Sequence, residues 1–148
     1  MFARGLAVVC LAALALTLSA CGGKSEAEKE RENNANAASA AVCDASALSG
    51  DTGLPANFPD PDGVTYKTTK KAGPSTIVDA TYDGDIDSGY DAYEQAVDGA
   101  GYNVLFKEKE EDDAEISYEG EGTTGQIALR AACGEDDKIV VHITNRPK

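Results

Sequence analysis

The chain has 148 residues, with 13 Lys plus Arg against 26 Asp plus Glu and a formal net charge of -13. A surface this acidic repels phosphate backbones and anionic headgroups, which excludes nucleic-acid binding. A single His, His142, and no Trp leave His-paired nucleophiles and multi-His metal sites without their usual parts.

Residues 1–20 have the layout of an export signal. Arg4 precedes an apolar run from Leu6 to Leu16, which is too short to span a bilayer comfortably, and small residues follow. The segment closes on Leu18-Ser19-Ala20-Cys21, which resembles the lipobox of bacterial lipoproteins. That resemblance covers only the first two dozen residues. It implies cleavage before Cys21, acyl chains such as palmitate on its thiol and usually on its amine, and attachment to the outer leaflet of the cell membrane. In a two-membrane cell Gly22 after the Cys implies the outer membrane instead. Several acyl chains anchor stably where one does not, since each buried methylene contributes about 0.8 kcal/mol.

Residues 21–42 are expected to form the lipidated N-terminus and a disordered tether. Between Gly22 and Val42 the chain is polar or small almost throughout and offers little apolar surface to offset the entropy of ordering. Lys24, Lys29 and Arg31 nearly balance Glu26, Glu28, Glu30 and Glu32, which leaves 9 basic and 22 acidic residues from Cys43 onward. Once Cys10 leaves with the signal and Cys21 takes lipid, Cys43 and Cys133 are the only remaining thiols. In an oxidising compartment a lone pair is most simply a disulfide. Closing so long a loop contributes about 4 to 5 kcal/mol on the chain-entropy account.

Residues 43–148 are expected to form one small domain. Three prolines between Pro55 and Pro61 forbid regular structure, and Asp62-Gly63 marks a turn into the first strand, about 64–71. A second strand over about 76–82 completes a hairpin through Gly73-Pro74. From 86 to 100 the apolar positions Ile86, Tyr90, Tyr93, Val97 and Ala100 form one helical stripe, with Asp85 or Asp87 as the cap and Gly101 as the stop.

Four strands follow with period-two alternation. The apolar sets are Tyr102, Val104 and Phe106; Ile116 and Tyr118; Ile127, Leu129 and Ala131; Ile139, Val141 and Ile143. One apolar and one mostly polar face predict a two-layer α+β domain. It has an antiparallel sheet in ββαββββ order, with one helix packed on the apolar face.

Several clusters are candidate sites. Asp83, Asp85, Asp87, Asp91 and Glu94 fall at positions one, three, five, nine and twelve of a stretch similar to the calcium loop of EF-hands. Ser88 replaces the glycine that loop needs, and anions at a helix start are also favoured by its dipole. A second acidic group, Glu108, Glu110, Glu111, Asp112, Asp113 and Glu115, has the composition of a solvated turn that discourages edge-to-edge pairing; as a site it would bind cations or a basic partner. On the polar face Leu105, Ala128 and Val140 are unusually apolar. With Arg130 and His142 they form an expected partner surface on an uncovered sheet.

The sequence therefore predicts an exported, membrane-anchored, non-catalytic binding or accessory module of the cell envelope, with an unidentified protein partner and no required cofactor. The alternative is a calcium-dependent envelope module working through the Asp83 to Glu94 loop.

Overall fold

The computed structural model describes Glu26, residues 37–134 and residues 137–148. The expected signal, Cys21 and most of the expected tether lie outside the described residues.

Six strands form one antiparallel sheet: β1 (Val64–Ala72), β2 (Ser75–Asp83), β3 (Asn103–Lys109), β4 (Asp113–Gly120), β5 (Thr123–Arg130) and β6 (Lys138–Pro147). Their order is β1-β2-β6-β5-β4-β3. The β1–β2 hairpin therefore docks on β6, and the long helix carries the chain from β2 to the far edge, where a meander runs back. The domain is α+β, as its alternating strands and single amphipathic stripe predict.

Two helices are described: α1, residues 37–43, and α2, Ile86–Gly99. In α2 the stripe Ile86, Tyr90, Tyr93 and Val97 is buried, and Asp85 caps the start by accepting the Ser88 N–H at 2.8 Å. Gly101, at φ +78°, takes the left-handed position just past the end.

Helix α2 packs on the inner face of the sheet. Val78, Ala80, Tyr82, Ile116, Tyr118, Ile127, Leu129, Ile139, Val141 and Ile143 meet the helix stripe there in one core. Phe58, from the proline-rich loop, closes the core. Its ring meets Tyr102 and Tyr118 edge-on, with centroids 6.3 and 5.6 Å away.

Three details depart from the alternation. A bulge between Val104 and Phe106 shifts the β3 register, so that Phe106 lies opposite Ser117 and Lys107 opposite Ile116. Since Ile116 is an inner-face residue, Phe106 turns outward and Lys107 inward, the reverse of strict period two. Strand β5 ends at Arg130, so Ala131 leaves the apolar row. It instead donates its N–H to the Asp112 carbonyl at 2.9 Å. Finally, α1 occupies what reads as the end of the tether. Its Ala-rich sequence favours helix, and only contacts with the rest of the protein make so short a helix persist.

The segment after α1 wraps the β1 edge. Leu48 N–H donates to the Tyr66 carbonyl at 2.8 Å, beside a β1 bulge between Tyr66 and Thr68, and Lys67 Nζ donates to the Ala45 carbonyl at 2.9 Å. Past the edge, the Thr69 hydroxyl donates to the Thr52 carbonyl at 2.6 Å, and the chain reaches Phe58 in the core. A single loop thus connects the outer face to the inner one.

Candidate functional site

The outer face of the sheet falls into two parts. One end is covered by α1. Cys43, the last residue of α1, is bonded to Cys133 in the β5–β6 connection, with Cα atoms 5.5 Å apart. Ala38, Ser39 and Val42 share a cavity of about 370 Å³ with Lys70, Asp79, Glu115, Gln126, Ala128, Arg130, Val140 and His142. Val140 is only 3 % exposed. This corrects the expectation of an open partner surface, because the protein's own N-terminal helix occupies the ground over Ala128 and Val140. Spacing along the strands gave no sign of it, since the covering segment is fixed by a disulfide rather than by its own apolar stripe.

Within that covered part, His142 Nδ1 lies 2.6 Å from Asp79 Oδ1, and the Thr68 hydroxyl donates to Asp79 Oδ2 at 2.8 Å. The hydrogen bond with His142, outweighing partial burial and helped by Thr68, holds the Asp79 carboxyl below its ordinary range. The arrangement ties β2 to β6, whose Asp79 and His142 are register partners. His142 is thus a cross-strand partner rather than an isolated surface histidine.

The other part of the outer face, along β3 and β4, is open. Leu105 and Phe106 are 57 % and 51 % exposed and are the only large apolar side chains so exposed among the described residues. Beside them a shallow depression of about 340 Å³ is lined by Leu105, Ser117, Thr124, Gln126, Thr144 and Arg146. Leu105 therefore keeps its place on the outer face, but it stands apart from the Ala128, Val140 and His142 group. Phe106, which the alternation assigned to the core, joins it.

The acidic loop at the start of α2 does not assemble as a ligand set. Asp85 is spent on the helix cap, receiving both the N–H and the hydroxyl of Ser88, and these bonds hold its carboxyl below the usual range. Asp87 pairs with Lys109 at 2.7 Å, and Glu94 pairs with Lys107. Asp83 and Asp91 are exposed, and among the described residues no three His, Cys, Asp or Glu side chains converge as a metal site. The helix begins at Ile86, inside the twelve-residue stretch, and winds its carboxylates apart instead of folding them round one point. The calcium reading is corrected accordingly. Lys107 and Lys109 reach these partners because the β3 bulge turned them to the helix side, and each carboxylate raises its lysine's pKa.

No helix among the described residues is long and apolar enough to cross a membrane. Comparison with protein-family models, curated proteins and solved structures finds no match for this chain.

Proposed function

We propose that this chain is an exported lipoprotein, anchored through Cys21 to the outer leaflet of the cell membrane or, in a two-membrane cell, to the outer membrane. Its domain acts there as a non-catalytic binding or accessory module. The observation that carries the reading is the Cys43–Cys133 disulfide in a chain whose start reads as an export signal. Such a bond persists in oxidising compartments and is rare in the cytosol. Thr68, Asp79 and His142 of the outer face are engaged with one another in a strand-to-strand link, and the exposed pair Leu105 and Phe106 is the kind of apolar surface that meets a partner. The test is labelling of the full chain with radioactive palmitate in a bacterial host, followed by detergent phase partition. Label and detergent-phase recovery are expected for the native chain, with both lost in Cys21→Ser. An unlabelled, aqueous native chain would overturn the anchor.

A further inference from the structure

We propose that the open outer face of the β3–β4 hairpin docks a basic, apolar polypeptide segment, its apolar side chains on Leu105 and Phe106 and a Lys or Arg between Glu108 and Glu115. The proposal rests on the reading of the domain as a binding module and names the surface and the chemistry of the partner.

Two observations carry it. The first is the exposed pair itself. Strict alternation would turn Phe106 inward, but the bulge at Leu105 sets Leu105 and Phe106 side by side facing solvent, at 57 % and 51 % exposure. The bulge also twists the edge and discourages simple strand addition. What it presents is therefore a face rather than a free ladder.

The second is the charge beside the pair. Glu108 lies directly opposite Glu115 in the β3–β4 register, and like charges so placed destabilise a sheet. Neither has a salt bridge among the described residues. The two lysines of this strand point to the opposite face, where Lys107 and Lys109 are held by Glu94 and Asp87. Glu108 is exposed beside the platform, and Glu115 stands half-buried at the boundary with the α1 cavity, which Arg130 also lines. An apolar platform next to two opposed carboxylates that have no salt bridge is complementary to a cationic, apolar segment. A second copy of the chain fits poorly, since from Cys43 onward it carries 22 acidic and 9 basic residues. Anionic lipid is repelled for the same reason.

The experiment uses the full-length lipidated protein in intact cells, with benzoylphenylalanine in place of Phe106 and, separately, in place of the exposed Gln95 on α2. Adducts are sequenced after irradiation. The expected result is one protein adduct from position 106, joined at a segment with Lys or Arg among apolar residues. Its yield should fall about tenfold when Glu108→Gln and Glu115→Gln are added, and it should also fall with added salt. Those same two substitutions should raise the melting temperature of the free protein, a gain that a merely structural role for the carboxylates would not give. Adducts at position 106 to lipid, to a second copy or to a segment without basic residues overturn the proposal, as does a yield indifferent to the glutamine variants. A protein adduct from Gln95 alone overturns this face and spares the binding-module reading, whereas no protein adduct from either position overturns both.

Discussion

Gly125 lies opposite Tyr118 in the β4–β5 ladder, and a Cβ there would stand 2.0 Å from the Thr144 carbonyl oxygen and 2.5 Å from the Tyr118 hydroxyl. The Tyr118 ring occupies the space that a side chain would need, and its hydroxyl donates across β5 to Asn145 Oδ1 on β6 at 2.9 Å. Backbone cannot yield as a flexible side chain would, so Gly125→Ala should cost about 3 kcal/mol, read as a lower urea midpoint at unchanged slope. Val140 and Phe106 make a contrasting pair. Both are apolar residues of the outer face, but Val140 is 3 % exposed beneath α1 and Phe106 is 51 % exposed. A hydroxyl at the first position is buried beneath α1 and replaces two packed methyl groups, whereas at the second it meets water. Val140→Ser should therefore destabilise by about 2 kcal/mol or more, and Phe106→Ser should change stability by about 0.5 kcal/mol at most. Equal effects in the same urea titration would mean that α1 does not cover the sheet.

Between elements, the tie that makes a pH-dependent prediction is the one from β2 to β6. The Asp79 carboxyl is held below its ordinary value chiefly by the hydrogen bond with His142, so the folded state favours its ionised form. A depressed carboxylate contributes stability that is fully present above the unfolded value of about 4 and is lost as pH falls through the folded value. Asp79→Asn should thus be less stable than the native chain near neutrality, with the gap closing below about pH 4; a gap constant down to the acid limb would assign the effect to packing alone. How legible each element was in the sequence follows from whether its determinants are local. Helix α2 was readable because stripe, cap and stop lie within one stretch, from Asp85 to Gly101. Strand β3 was readable in position but not in facing, because a bulge leaves no mark on composition and reverses every side chain after it. Helix α1 escaped notice because Val42 is its one larger apolar residue and the bond that pins it closes on a residue 90 positions away. The candidate site inherited both errors: its covered part lies under α1, and its open part includes the Phe106 that the bulge expelled.

For the molecule as a whole, the fold places its two layers unequally. Helix α2 and the Phe58 loop cover the inner face, while among the described residues the outer face has only α1 and the strap that follows it round the β1 edge. The strap's hydrogen bonds to Tyr66, Lys67 and Thr69 hold it after Ala45, but α1 itself is too short to persist as an isolated helix. Its place therefore depends on Cys43–Cys133, which removes the loop-closure entropy of a 90-residue separation from the unfolded chain. Replacing both cysteines by serine should lower stability by about 4 to 5 kcal/mol on that account. It should also have a local consequence that a general loss of stability would not produce. With α1 released, Ala128 and Val140 become accessible while the α2 side of the core stays packed. In amide hydrogen exchange on the double serine variant, residues 37–48 should lose protection under conditions where β4 and β6 keep theirs. Loss of protection in all of these at the same rate would mean that the disulfide stabilises the domain only globally and that α1 is held by the sheet without it.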